Sequence, residues 1–276
     1  MAIASISGDT TPAGSPAAGV ALFDLKRAGY GVGGSRILAP IDLQIPAGGF
    51  VALIGHNGSG KSTLLSLLAR QIEPSEGEIA FAGEALARLS QRDFARKVGW
   101  LPQDPPLAAN LTVAELARFG RYPWRGAFMR HGAEDRRAVE GALGRVGLSH
   151  MRERAVASLS GGERQRAWLA MLLAQEPSCL LLDEPTAALD LKHQLEVLQL
   201  LRQLRDENEL TIVMAIHDIG MALRFADHLV ALKAGRPVFE GPPQALVRPD
   251  VLSAIYDLPI GTVQPKDGGP TVVYPL

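Results

Sequence analysis

The stretch GHNGSGKST, Gly55 to Thr63, lies between the apolar run FVALI (50–54) and the helical run KSTLLSLLAR. It fits the pattern G-x-x-x-x-G-K-[ST] in the strand–loop–helix setting that gives the pattern its meaning. Gly55, Gly58 and Gly60 allow a tight turn and a close approach of the backbone to phosphate oxygens, with no Cβ in the way. Successive N–H groups form an anion nest, and the helix N-terminus adds partial positive charge. Lys61 is expected to reach the β- and γ-phosphates of a nucleotide. The Ser62 hydroxyl is expected to ligate Mg²⁺, and His56, Asn57, Ser59 and Thr63 complete the expected loop contacts.

The rest of the chain supplies an α/β setting for such a loop. Short apolar runs read as strands at FVALI, VGWLP (98–102), CLLLD (179–183), TIVMAI (211–216) and HLVAL (228–232). Longer helical segments separate them, one carrying the stripe Leu191, Leu195, Leu198, Leu201 and Leu204. This alternation predicts an α/β fold with a mainly parallel sheet. ALFDLKRAGYG, RILAPIDLQIPAGG and GEIAFAGEAL predict a small antiparallel β layer near the N-terminus. Residues 104–174 show helical patterns and almost no strand signal, as expected of a helical insertion.

Composition narrows the classes. With 47% apolar residues, 276 residues can bury a large core. The net charge of −1 gives no global field for nucleic acid or acidic membranes. One cysteine, Cys179, excludes an internal disulfide framework. No apolar run approaches the ~18–20 residues that span a bilayer. Residues 1–20 are rich in Ala, Gly, Ser, Thr and Pro, and no Lys or Arg precedes Lys26. They are expected to be a disordered leader rather than a secretory signal. A cytoplasmic protein with, at most, a peripheral membrane role is expected.

CLLLDEP supplies an apolar strand ending in two acids. Asp183 at the strand end is placed to hold Mg²⁺, and Glu184 points elsewhere because successive strand residues alternate. Glu184 can polarise the attacking water as general base, worth roughly 10²–10⁴-fold in rate. LSGGERQ, Leu159 to Gln165, carries S-x-x-E, a capping box in which Ser160 starts a helix through ERQRAWLAMLLAQ. Gly161 and Gly162 are poor helix formers, yet they occupy its first turn. They bare N–H groups that invite an anion, a second phosphate site far from the first in sequence.

GHNGSGKST, LSGGERQ, LLLDEP, ALD (188–190) and IHD (216–218) occur in the order seen in ATP-binding cassette (ABC) proteins, and the chain is identified as a member of that family. The resemblance implies a head-to-tail dimer of two copies, with each ATP between the phosphate loop of one and the LSGGERQ helix of the other. Ser160, Gly161, Gly162, Glu163 and Gln165 would then contact nucleotide in trans. It implies that Gln103 of LPQD senses Mg²⁺ and the partner, and that His217 contacts the γ-phosphate and supports Glu184. Asp190 would cross the dimer, and Tyr30 would stack on adenine. The second phosphate-loop residue is usually Pro in this family and is His56 here.

Within the family, the spacing from Lys61 to Ser160 leaves no room for the long coiled coil of chromosome-organising members. One cassette per chain is unlike most ribosome-associated members, and no fused membrane helices suggest an exporter. GRYPWRG, 120–126, sets Tyr122, Pro123 and Trp124 among Arg118, Arg121 and Arg125 within the helical insertion. Its surroundings resemble the iron-siderophore and vitamin B12 importer branch over residues 22–262. The ferric-hydroxamate members in Gram-negative bacteria are the most similar. Catecholate, citrate, haem and cobalamin stay open as cargo, because such an ATPase never touches it. The resemblance implies an ATPase domain over 21–250, a short C-terminal extension over 251–276, and the cofactors ATP and Mg²⁺. It also implies a location on the cytoplasmic face of the inner membrane. The implied partners are permease subunits docked through the helical insertion, including Tyr122 and Trp124, and, indirectly, a periplasmic siderophore-binding protein; nucleic acid is not among them.

Overall fold

The computed structural model describes residues 21–106, 108–125, 132–265 and 271–276. The leader, 1–20, lies outside them. The chain opens with the long antiparallel pair β1 (Ala21–Val32) and β2 (Ser35–Pro46), joined at Gly33 and Gly34. β3 (Phe50–Ile54) then enters the centre of a second sheet and leads through the phosphate loop into α1 (Lys61–Leu68). β4 (Glu76–Phe81) and β5 (Glu84–Ala85) return to the first sheet, whose order is β2-β1-β4-β5. This is the expected antiparallel layer.

Helix α2 (Gln91–Lys97), capped by Ser90, feeds β6 (Val98–Leu101). The described part of 104–174 is helical, as expected: α3 (Val113–Phe119), α4 (Tyr122–Arg125), α5 (Ala133–Arg145) and α6 (Gly161–Ala174). An isolated bridge from Thr112 to Ala155 ties its loops together. β7 (Cys179–Asp183), α7 (Leu191–Asn208), β8 (Thr211–Ala215), α8 (Ile219–Phe225) and β9 (His228–Lys233) complete the α/β core. β10 (Arg236–Gly241) adds an antiparallel edge, giving the order β10-β9-β3-β8-β7-β6. The chain ends in α9 (Pro243–Leu246), α10 (Pro249–Tyr256) and the hairpin β11 (Ile260–Val263) with β12 (Val272–Pro275). α10 straddles residue 250, and its Leu252 and Ile255 join the larger core, so this part of the C-terminal segment is packed on the α/β core.

β3, β7 and β8 are buried at every position, because a parallel sheet covered on both faces needs apolar residues throughout. Their two-residue period still sorts them. Phe50, Ala52 and Ile54 join Leu180, Leu182, Ile212 and Met214 in the core beneath the helices. Val51, Leu53, Cys179, Leu181 and Val213 face the other core, with α1 and the antiparallel layer. The α7 stripe differs from expectation at one end. Leu198, Leu201 and Leu204 are buried, but Leu191 is 64% exposed. Asp190 caps α7 outside the core, so the first turn projects beyond the surface its later turns cover.

Candidate active site

The phosphate loop is built by close backbone approaches. Gly55 has φ 136°, and a Cβ there would lie 2.1 Å from the Leu232 carbonyl oxygen in β9. Gly60 starts α1 in a left-handed conformation, φ 105°. Lys61 is 4% exposed, and its Nζ donates to the carbonyls of Gly55 at 2.9 Å and His56 at 3.1 Å. Burial lowers the Lys61 pKa, opposed by the nearby carboxylates of Glu184 and Asp183. Ser59 is buried, while His56, Asn57, Gly58 and Ser62 face outward and Thr63 is half-buried.

The two acids at the end of β7 meet this loop as expected. The Ser62 hydroxyl donates to Asp183 Oδ1 at 3.0 Å. Burial pushes the Asp183 carboxyl pKa upward; the Ser62 hydrogen bond opposes this and the Glu184 charge adds to it. Glu184 does point elsewhere, but not by strand alternation. It lies past the strand with φ 49°, a left-handed conformation rare outside glycine. Its Oε2 sits 2.6 Å from His217 Nε2 and accepts from Gln103 Nε2 at 3.2 Å. Lys61, Ser62, Asp183, Glu184, Gln103 and His217 therefore converge from β6, β7, β8 and α1. A hydroxyl beside a carboxylate is a hard-oxygen pair suited to Mg²⁺, which takes few protein ligands and completes its shell with phosphate and water oxygens.

Tyr30 is half-buried in β1 opposite Leu38, and a Cβ at Gly60 would meet Leu38 Cδ1 at 3.2 Å. That puts its strand pair beside the loop.

The LSGGERQ residues form a separate cluster. Ser160 Oγ accepts from the Glu163 backbone N–H at 3.3 Å, while Glu163 Oε2 accepts from the Ser160 N–H at 2.8 Å, completing the expected capping box. Those Ser160 bonds hold the Glu163 carboxyl below its usual range. Gly162 is buried under His193, whose Cδ2 would lie 2.6 Å from a Cβ there. The His193 ring in turn bonds Asp190 Oδ1 through Nδ1 at 2.8 Å. The bare helix end and Asp190 are thus locked together through a histidine that sequence reading missed, although its place three residues past an N-cap Asp was a usable signal. Gln165 Nε2 is buried and has no hydrogen-bond partner among the described residues.

GRYPWRG divides between interior and surface, with Gly126 outside the described residues. Gly120 abuts α6 so closely that a Cβ would lie 1.9 Å from the Met171 carbonyl oxygen. Arg121 is 1% exposed and pairs with the equally buried Asp135 at 3.1 Å. Trp124, expected on the docking surface with Tyr122, is half-buried; its indole N–H donates to the Gln175 carbonyl at 2.8 Å, and the guanidinium groups of Arg96 and Arg121 flank its ring. Tyr122, at 58%, and Phe119, at 56%, are exposed. Pro123 borders a groove of about 850 Å³, lined also by Ile72, Leu86, Phe94, Trp100 and Met171.

The ABC transporter family model matches residues 38–187. The ferric enterobactin transport ATP-binding protein of Escherichia coli is 40% identical over 246 residues, 89% of this chain and 91% of that protein. The iron(3+)-hydroxamate import ATP-binding protein of Bacillus subtilis is 42% identical over 233 residues, 84% and 87% of the two chains. Among solved structures, a chain of an inward-facing metal-chelate type ABC transporter superposes with a TM-score of 0.80 at 28% identity, covering 93% of this chain and 98% of that one.

Proposed function

Because this chain belongs to the ABC transporter family, we propose that it is the ATP-hydrolysing subunit of an importer for an iron(III)-siderophore chelate. The observation that carries the enzymatic reading is the Glu184 carboxylate, held by His217 and Gln103 beside Lys61, Ser62 and Asp183. ATP phosphates seat on the N–H groups of the loop and draw Lys61 from the carbonyls of Gly55 and His56. Ser62 and Asp183 would hold Mg²⁺, with Gln103 alongside, and the ion would supply charge that offsets the phosphates. Glu184 takes the proton of the water whose oxygen attacks the γ-phosphorus, while the bond to the β–γ bridging oxygen breaks. His217 orients Glu184 and faces the γ-phosphate, and Tyr30 stacks on adenine.

The LSGGERQ cluster serves a second copy of the chain, so each ATP is enclosed by the phosphate loop of one protomer and by Ser160, Gly161, Gly162, Glu163 and Gln165 of the other. Asp190 lies at the seam. ATP favours the closed pair over the open one, and that difference in affinity drives the transporter. Among the described residues no helix is long and apolar enough to cross a membrane. We place the chain on the cytoplasmic face of the inner membrane, with separate permease subunits docked at Tyr122 and the groove bordered by Pro123. The cargo reading is a ferric hydroxamate delivered by a periplasmic binding protein; a ferric enterobactin-type cargo, supported by the 40% identical relative, is the second reading.

Glu184→Gln tests the chemistry. The variant should bind ATP, accumulate as a closed dimer and lose turnover by roughly 10²-fold or more. Near wild-type turnover would refute the base assignment, and Lys61→Ala, losing nucleotide binding, serves as the control. Cargo is tested by reconstitution with permease: stimulation by binding protein loaded with ferric hydroxamate, and not with ferric enterobactin, supports the first reading.

A further inference from the structure

The C-terminal helix reaches the phosphate loop. Tyr256, the last residue of α10, sets its ring 5.3 Å from the His56 imidazole, with an interplanar angle of 64°, an edge-to-face contact. The His56 carbonyl is one of the two that Lys61 grips. Tyr256 lies outside the segment the family model matches, 38–187. Its hydroxyl is buried, and burial pushes its pKa up to about 12. The Gly55 backbone opposes that rise and the Asp218 charge adds to it, so the phenol lies near the loop and the residue after His217.

The helix that carries this ring is anchored firmly. Lys233 Nζ, at the end of β9, donates to the Ala254 carbonyl and to Asp257 Oδ1, both at 2.6 Å. It thereby satisfies an orphan carbonyl at the C-terminal turn of α10. The turn after Lys233 is tied to the phosphate loop by the bond from the Gly235 N–H to the Ser59 carbonyl, 3.0 Å. Leu252 and Ile255 bury the inner face of α10. One rigid support thus holds both the loop and the ring that touches it.

We propose that Tyr256 is a positioning residue for nucleotide: its ring seats His56, fixes the first turn of the phosphate loop, and makes the C-terminal segment a determinant of ATP affinity. The proposal rests on the reading of Gly55–Thr63 as the ATP site. An edge-to-face pair contributes about 0.5–1.5 kcal/mol, which is a factor of roughly 2–13 in an equilibrium constant. The ring supplies the contact with His56, and the hydroxyl lies against the Gly55 backbone of the same loop.

The test measures fluorescent ATP-analogue affinity, kcat and KM for the full chain with Tyr256→Phe, Tyr256→Ala, His56→Ala and the Ala/Ala double variant. Tyr256→Ala and His56→Ala should each weaken nucleotide binding about three- to tenfold, with kcat within about twofold of wild type. Tyr256→Phe, which keeps the ring, should lie closer to wild type than Tyr256→Ala does, and the double variant should be no weaker than the weaker single. Where Tyr256→Ala gives no folded protein, Tyr256→Leu, which keeps apolar volume under the loop, takes its place. Unchanged affinity, additive losses, or a Phe variant as weak as the Ala variant would overturn the proposal. A wild-type chain that fails to bind ATP would instead refute the underlying site.

Discussion

Arg121→Met tests how the helical region is joined to the rest of the chain. Arg121 Nε gives 3.1 Å to Asp135 Oδ1, and its Nη1 gives 2.8 Å to the Ala174 carbonyl and 2.6 Å to Glu176 Oε2. One side chain therefore ties α5 to the end of α6 and to the strand entry that follows. Breaking a buried pair by removing one partner costs about 3–5 kcal/mol. Asp135 is not stranded, because Arg125 Nε at 2.9 Å and the Gly132 N–H at 2.8 Å still serve its carboxylate. Those bonds bring the ionic loss to the lower end, about 3 kcal/mol. The Ala174 carbonyl loses a donor, about 1 kcal/mol, and the apolar Met stem returns a comparable amount through burial. The expected net loss is about 3 kcal/mol in urea unfolding followed by tryptophan fluorescence, to which Trp124 contributes directly. Arg121→Lys should fall between, because an ammonium cannot serve three acceptors with the guanidinium fork. Adding Asp135→Asn to Arg121→Met should cost less than the sum of the two. A loss below about 1 kcal/mol for Arg121→Met would refute the reasoning.

Gly120→Ala should destabilise by about 3 kcal/mol, the upper end for overpacking, since its Cβ would sit 1.9 Å from the Met171 carbonyl; a thermal melt unchanged from wild type would contradict the close approach. Tyr122→Ala, at an exposed position, should leave stability within about 0.5 kcal/mol and ATP binding intact while lowering transport in a reconstituted system. Lowered ATP binding in that variant would argue against a docking role. The Glu163 carboxyl has a folded pKa below its unfolded value, so its capping bonds stabilise fully above about pH 4.3 and are lost as pH falls through the lower folded value. Melting temperature between pH 6 and pH 3 should therefore fall less steeply in Glu163→Gln than in wild type; equal slopes would remove Glu163 from the acid response.

The parts legible in sequence are those whose spacing encodes local backbone geometry. Gly55, Gly58 and Gly60 mark a turn that only particular φ values permit, and Ser160 with Glu163 closes a bond within one helical turn. The strands were legible because burial on both faces demands unbroken apolar runs. What stayed hidden joins residues distant in the chain. Nothing near Tyr256 announces His56, and nothing around Arg121 announces Ala174 or Glu176. The charged neighbours of Trp124 marked it as a surface aromatic but did not announce that Arg96 and Arg121 flank its half-buried ring. Leu191 continued an apolar period past the point where the core ends. β10 was missed because RPVFEG, an edge strand with four of its six residues exposed, lacks the apolar run that marked the others.

Cys179 is the chain's single cysteine and is wholly buried in β7, where burial drives its thiol pKa well above the usual range. A thiol with so little thiolate, buried in the core, is nearly inert to alkylation and exchange. The native chain is therefore already a silent background for sulfhydryl chemistry. A cysteine placed at exposed Asp190 or Tyr122 would be the one reactive site per protomer, so spin labels, fluorophores or cross-linkers could report the proposed subunit seam and the proposed docking face without first removing a native residue.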